Sequence, residues 1–106
     1  MQQLNESANG QEIHLHTHQR FEISLRENPT TGFRWSLISN GEPACKALDD
    51  TYEPPDIHAH GQEGMHYWRF EAAQTGHGKI ELVYLRSWEH AGNAARRFTL
   101  DVRVKE

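Results

Sequence analysis

Residues 20–37 read RFEISLRENPTTGFRWSL, two alternating segments separated by a short polar loop. Apolar side chains recur at every second position before and after that loop: Phe21, Ile23 and Leu25, then Phe33, Trp35 and Leu37. A period of two places such side chains on one face of a β-strand. The stretch therefore predicts two strands joined by a loop over residues 27–33.

The rest of the chain repeats this pattern in short segments bounded by turn residues. Five further segments have it, at residues 11–17, 44–53, 65–73, 79–88 and 98–104. The segment at 79–88 is apolar on both faces, which predicts a central strand. With no convincing helical stretch, the pattern predicts an all-β, immunoglobulin-like β-sandwich of seven to eight strands. We expect one domain over residues 11–106 and a flexible N-terminal segment over the polar residues 1–10.

Composition excludes several classes of function. Lys and Arg total 11 against 15 Asp and Glu, and no basic stripe is present, so nucleic acid is not an expected partner. Cys45 is the only cysteine, which rules out an intrachain disulfide and a multi-cysteine metal site. No apolar run is long enough to cross a bilayer. We expect a soluble monomer without a membrane partner, cytoplasmic unless a signal peptide has been removed, in which case periplasmic or secreted.

The loop over residues 27–33 has the chemistry of a preformed binding loop. Pro29 fixes its own φ angle, and Gly32 permits a positive φ at the far end. Thr30 and Thr31 are β-branched and restricted at χ1, so little freedom remains to be lost on contact with a partner. The same residues are also common in ordinary turns. Taken alone, this loop leaves both interpretations open.

Two other loops are expected beside it. If the strands run alternately up and down, the connections 28–32, 54–64 and 86–94 emerge at one end of the sandwich. The second connection contains Gly61 and Gly64, which allow close backbone approach to a partner. The third contains Arg86 and Trp88, residue types that dominate binding hot spots. Trp88 can also be interpreted as a core aromatic, since by strand period it shares a face with Tyr84.

At this point the chain resembles the chagasin-type inhibitors of papain-like cysteine proteases. Four motifs carry the resemblance, in order, between about residues 20 and 104. They are Asn28-Pro29-Thr30-Thr31-Gly32-Phe33 followed by Trp35, Tyr52 with Pro54-Pro55-Asp56, Gly61-Gln62-Glu63-Gly64 leading to an aromatic, and Tyr84-Leu85-Arg86-Ser87-Trp88.

The resemblance implies a reversible, non-covalent inhibitor that is not an enzyme and needs no cofactor. It implies that three adjacent loops, 27–33, 58–65 and 85–92, plug the active-site cleft of papain or a cathepsin L-like protease. The protease-binding residues implied are Asn28, Pro29, Thr30, Thr31, Gly32, Phe33, Gly61, Gln62, Glu63, Gly64, Met65, Arg86, Ser87 and Trp88.

Two positions depart from the family pattern. Glu63 stands where the family usually has a third glycine, which puts close backbone approach there in doubt. Ser87 stands where the family usually has proline, which removes a φ constraint beside Trp88. We expect inhibition to survive both changes, with altered strength or target.

Two alternatives remain open. Eight histidines are present, and His14, His16 and His18 alternate on one predicted strand, with His58 and His60 as a second pair, so a histidine-rich metal-binding sandwich is conceivable. Alternate residues of a strand lie about 6–7 Å apart, which favours a solvated edge strand instead. A non-inhibitory immunoglobulin-like interaction module is the other alternative, since the fold hosts many functions. No hydrolase, zinc-protease or phosphate-loop motif points to an enzyme.

Overall fold

Eight strands form two four-stranded sheets in the computed structural model, which describes residues 1–55 and 63–106. The strands are β1 (Gln2–Leu4), β2 (Gln11–His16), β3 (Arg20–Glu27), β4 (Phe33–Asn40), β5 (Cys45–Glu53), β6 (Gly64–Ala72), β7 (Gly76–Arg86) and β8 (Arg96–Lys105). Three single-turn 3-10 helices lie between them, at Glu6–Ala8, Pro29–Thr31 and Ala91–Asn93. No helix in the described part of the chain has the length and hydropathy needed to span a membrane.

The strand order is β1-β3-β6-β5 in one sheet and β2-β8-β7-β4 in the other. The pairs β1/β3 and β2/β8 are parallel, and the remaining pairs are antiparallel. The sequence prediction of an all-β immunoglobulin-like sandwich is confirmed. Strand β7 lies between β8 and β4, as its two apolar faces predicted, and Val83 on its second face is fully buried.

The core lies between the sheets and is filled by the alternating side chains. Phe21 of β3 stacks on Phe70 of β6, with ring centroids 5.1 Å apart and an interplanar angle of 16°. The predicted inward faces of β3, β6 and β7 are confirmed. Their buried members are Phe21, Ile23, Leu25, Trp68, Phe70, Ala72, Ile80, Leu82 and Tyr84. Burial of this apolar surface is the main favourable contribution to folding.

The N-terminal residues have more structure than their composition predicted. Residues 1–10 were expected to be flexible, but Gln2–Leu4 pairs in parallel with β3. Ala8 is only 6% exposed, and Leu4 packs against the core cluster. Two apolar side chains in a polar segment are enough to dock it, because β3 otherwise presents an unpaired sheet edge. The domain boundary at residue 10 stays a prediction.

The topology brings three connections to one end of the sandwich. Glu27 at the end of β3 pairs with Gly64 at the start of β6. Phe33 at the start of β4 pairs with Arg86 at the end of β7. We call this end, from which the connections 28–32, 54–63 and 87–95 leave, the loop pole. The opposite end, with the turns 17–19, 41–44 and 73–75, is the turn pole.

Candidate functional site

The loop at residues 27–33 is closed by its own polar groups. The Asn28 Oδ1 atom accepts hydrogen bonds from the Thr30 backbone N–H at 3.2 Å and from the Thr30 hydroxyl at 2.6 Å. The Thr31 hydroxyl donates to the Asn28 carbonyl oxygen at 2.7 Å. Pro29 opens the 3-10 turn, and Gly32 ends it at a φ of +84°. Both threonines are exposed, so the loop presents them on a turn with little conformational freedom.

The base of this loop is fastened to both sheets. The Trp35 indole Nε1–H donates to the Arg26 carbonyl oxygen at 2.8 Å, and the Trp35 backbone N–H donates to Glu27 Oε2 at 2.6 Å. The Asn28 backbone N–H donates to the Tyr84 hydroxyl at 3.1 Å. Strands β3 and β4 belong to different sheets, so these bonds cross the sandwich directly beneath the loop.

The third loop begins with a tight turn. Strand β7 ends at Arg86, two residues before the end predicted from the apolar run. The Glu89 backbone N–H donates to the Arg86 carbonyl oxygen at 3.0 Å, and the Arg86 backbone N–H donates to Glu89 Oε1 at 3.0 Å. Ser87 and Trp88 form the centre of this turn. Trp88 is 71% exposed, so the interpretation of Trp88 as a core aromatic is wrong.

Arg86 connects the third loop to the first. Its guanidinium carbon lies 4.6 Å from the centre of the Phe33 ring and 5.7 Å from that of Trp88. Phe33 in turn stacks on Tyr84, with ring centroids 5.4 Å apart. A guanidinium between two aromatic rings is attracted to both. The contact holds Phe33 and Trp88 near one another at the loop pole.

The second loop is described only at its ends, because Gly61 and Gln62 lie outside the described residues. Glu63 is exposed and borders a depression of about 300 Å³ together with residues of the first and third connections: Asn28, Thr31, Phe33, Tyr84, Ala95 and Arg96. Gly64 is buried, and a β-carbon there would overlap the Tyr52 hydroxyl. Met65 points outward and borders a separate depression with Asn5, Glu6, Ser7, Ser24 and Arg26. The structure therefore brings together the described parts of the three loops, except Met65.

A buried charged cluster, which the sequence patterns do not predict, lies beneath the loops. The Glu27 side chain is fully buried, and its Oε1 lies 2.9 Å from His66 Nδ1. His66 Nε2 lies 2.6 Å from Asp50 Oδ2. The Arg34 Nε atom lies 3.7 Å from Glu27 Oε1. One signal was available: extending the β6 alternation two residues back from Trp68 places His66 on the core face.

Burial and pairing act in opposite directions on these groups. Burial raises the pKa of Glu27, but hydrogen bonds from His66 and the Trp35 N–H, together with the charges of His66 and Arg34, hold the pKa below its usual value. Burial lowers the pKa of His66, but hydrogen bonds to Glu27 and Asp50 and the charges of both carboxylates raise it overall. The cluster therefore favours charged Glu27 and charged His66 together.

The described histidines of the alternative metal site, His14, His16 and His18, lie away from the loop pole. Strand β2 ends at His16, and His18 lies in the following turn with a φ of +76°, so the three alternating histidines do not share one strand. His58 and His60 lie outside the described residues. Among residues 1–55 and 63–106, no group of three or more His, Cys, Asp or Glu side chains is placed to hold a metal ion. Burial raises the pKa of the Cys45 thiol to about 11.

Comparisons with known proteins show the family to which this chain belongs. The family model of the chagasin family peptidase inhibitor I42 matches residues 14–102. Amoebiasin-1 from Entamoeba histolytica is 39% identical over 96% of this chain and 98% of its own length. The crystal structure of the cysteine protease inhibitor EhICP2 from Entamoeba histolytica covers 98% of this chain and 94% of its own, with a TM-score of 0.82 and 22% identity. The structure of PbICP-C in complex with falcipain-2 covers 97% of this chain and 89% of its own, with a TM-score of 0.58 and 18% identity. The chain belongs to the chagasin family of peptidase inhibitors, as its loop motifs predicted.

Proposed function

We propose that this chain inhibits papain-like cysteine proteases reversibly and without a covalent bond, by placing loops 27–33, 58–65 and 85–92 in the active-site cleft. The observation that carries the proposal is the preformed threonine turn at the loop pole, with exposed Trp88 held beside it through Arg86 and Phe33. Membership of a peptidase inhibitor family supplies the class of activity.

The first loop is suited to fill a catalytic centre. Because Asn28 and the two threonine side chains are already bonded to one another, ordering the loop on contact costs little free energy. Its tip presents methyl and hydroxyl groups rather than charge. Thr30 and Thr31 are the residues that we expect to lie nearest the catalytic cysteine and histidine of the protease.

The third loop is suited to grip the wall of the cleft. Trp88 is large, exposed and held at the centre of a hydrogen-bonded turn, and exposed aromatic residues of this kind dominate the binding energy of many interfaces. Ser87 occupies the position where the family usually has proline. The bond between the Arg86 N–H and the Glu89 carboxylate closes the same turn without it.

A covalent mechanism has no support from the thiol of this chain. Cys45 is buried at the start of β5, whereas the loop pole lies at the end of that strand, about 26 Å away at ~3.3 Å per residue. Its raised pKa keeps the thiol protonated near neutral pH. Occlusion of the cleft by a standard-size interface, on the order of 1,600 Å², is enough for tight binding.

The test is a titration of papain and a cathepsin L-like enzyme with the full chain, using a trypsin-like serine protease as control. We expect stoichiometric inhibition of the two cysteine proteases, recovery of activity after dilution, and no effect on the serine protease. Full activity of every papain-like enzyme tested would favour the non-inhibitory interaction module instead.

A further inference from the structure

We propose that Glu27, His66 and Asp50 form a charged positioning network that holds the base of loop 27–33, and that the strength of inhibition depends on the proton carried by His66. The inference rests on the proposed function, because the loop is taken to be the part that enters the protease. None of the three side chains is expected to touch the protease.

The geometry around His66 requires a proton on each ring nitrogen. Both ring nitrogens of His66 face carboxylate oxygens, at 2.9 Å from Glu27 and 2.6 Å from Asp50. A neutral imidazole has one N–H and can donate to only one of them, so its other nitrogen would face an oxygen lone pair. An imidazolium donates to both. With both carboxylates ionised, the observed distances are therefore attractive on both sides only when His66 is charged.

The charges around the cluster balance when His66 carries both protons. In the described part of the chain, the titratable or charged groups that contact it are Glu27 from β3, Asp50 and Tyr52 from β5, and Arg34 from β4. Two carboxylates, one imidazolium and one guanidinium sum to zero. The His66 ring also stacks on the Trp68 ring, with ring centroids 3.9 Å apart and an interplanar angle of 10°. Because an aromatic face attracts a cation, this contact favours charged His66. Loss of the His66 proton would leave fully buried Glu27 without its nearest counter-charge.

The network reaches the loop pole through Glu27. Glu27 immediately precedes Asn28, and its second carboxylate oxygen accepts the Trp35 backbone N–H on the far side of the loop. The same side chain thus joins both ends of loop 27–33. The Tyr52 hydroxyl donates to the Glu27 carbonyl oxygen at 3.2 Å, which adds β5, the strand that leads into the second loop. A change in the His66–Glu27 bond therefore acts on the base of loop 27–33 and, through Tyr52, on the end of β5.

The direction of the pH effect follows from the two pKa shifts. The pKa of His66 is raised above its ordinary value of 6.5. The stability that charged His66 contributes is therefore complete below pH 6.5 and is lost as the pH rises through the raised pKa. The pKa of Glu27 is lowered from 4.5, so its contribution is complete above that value and is lost as the pH falls through the lowered pKa. The loop pole is best ordered between these limits.

The central experiment compares inhibition constants across about pH 5 to 9 for the full chain and three variants. The variants are His66→Gln, Asp50→Asn and the control His14→Gln, which changes an exposed histidine on β2. Each constant is divided by that of the unaltered chain with the same protease at the same pH, so that the titration of the protease cancels. We expect His66→Gln to weaken inhibition about tenfold on the acidic side, with the ratio falling towards one as the pH rises.

The second variant tests the charge rather than the contact. The Asp50 side chain is 56% exposed, so Asp50→Asn is expected to fold normally. Loss of its charge lowers the pKa of His66, and the pH at which inhibition weakens should move down with it. His14→Gln should give a ratio of one throughout. A pH-independent ratio for His66→Gln, or an unshifted midpoint for Asp50→Asn, would overturn the network even if one variant failed to fold.

A nitrogen NMR titration of the unaltered chain separates this inference from the proposed function. We expect His66 to keep protons on both ring nitrogens above its ordinary pKa of 6.5, with the amide signals of Thr30 and Thr31 shifting at the His66 midpoint. If the chain inhibited no protease, these signals would still test the network. A His66 that loses a proton at or below pH 6.5 would refute it, as would amide signals of Thr30 and Thr31 that do not change at the His66 midpoint.

Discussion

The two poles of the sandwich are held together by different parts of the chain. At the turn pole the turns are joined to one another by bonds between backbones. The His18 N–H donates to the Ala72 carbonyl oxygen, the Ala72 N–H to that of Gln19, and the Ala73 N–H to that of Ala44, all within 2.8 Å. At the loop pole the turns also have backbone bonds, but the bonds that cross between the two sheets each use a side chain.

Those side chains cross between strands and between sheets. Glu27 joins β3 to Trp35 of β4 and to His66 of β6. The Tyr84 hydroxyl accepts a hydrogen bond from the Asn28 backbone N–H. Arg86 adds its contacts with two aromatic rings. Because side chains hold the loop pole, its geometry depends on their identity and charge. At the turn pole, close backbone contacts such as that between Gly78 and Gly41 make the geometry sensitive to residue size.

The largest expected effect is at the turn pole, on stability. In Gly78→Ala a β-carbon would overlap the Gly41 carbonyl oxygen, which is backbone and cannot move aside cheaply. We expect a loss of about 3 kcal/mol in the free energy of unfolding, measured by urea denaturation. Gly92→Ala has open space around its β-carbon and serves as control. Inhibition by the folded fraction of Gly78→Ala should be unchanged, because Gly78 lies at the turn pole. Unaltered stability in Gly78→Ala would mean that the turn pole yields more easily than its close contacts imply.

The next effect is at the loop pole, on binding. Trp88→Ala removes an exposed ring, so we expect unchanged stability and an inhibition constant raised about thirtyfold, or ~2 kcal/mol. Ile38→Ala truncates another exposed apolar side chain, 52% exposed on β4, and should leave inhibition unchanged. Equal effects from the two variants would remove the distinction between the poles.

A smaller effect is expected at the tip of the first loop. Thr31→Asp places a charge where we expect the catalytic centre and removes the donor to the Asn28 carbonyl oxygen. We expect an inhibition constant about tenfold higher, or ~1.4 kcal/mol. Thr75→Asp introduces the same change at an exposed threonine of the turn pole. Inhibition by Thr31→Asp at the strength of the unaltered chain would place the threonine tip outside the cleft.

The smallest expected effect comes from stiffening the third loop at the loop pole. Ser87 is the second residue of the turn closed by Glu89 and Arg86, a position that favours proline. Ser87→Pro should therefore tighten inhibition two- to fivefold, about 0.4–1 kcal/mol, by reducing the freedom of the unbound turn. The measurement is the association and dissociation rates with papain, with Ser36→Ala on the exposed face of β4 as control. Weaker inhibition by Ser87→Pro would indicate that Trp88 needs the mobility that serine allows.

Sequence patterns were sufficient for the strands and for their inward faces. Period-two alternation is a local property, and both apolar faces of β7 correctly predicted its central position. Sequence patterns were insufficient where an apolar run continued past the end of a strand. Trp88 continues the alternation of Tyr84, yet the turn at Arg86 directs it into solvent. Likewise, the polar composition of residues 1–10 concealed an edge strand that pairs only with β3.

Local order along the chain was enough to establish an immunoglobulin-like sandwich with three neighbouring loops, because alternation, turn residues and strand parity need no knowledge of distant contacts. Packing alone selected His66 from eight histidines and joined it to Glu27, 39 residues earlier, and to Asp50, 16 residues earlier. A charged pair across that separation leaves no periodic signal, since its members meet only when β3, β5 and β6 come together to form one sheet.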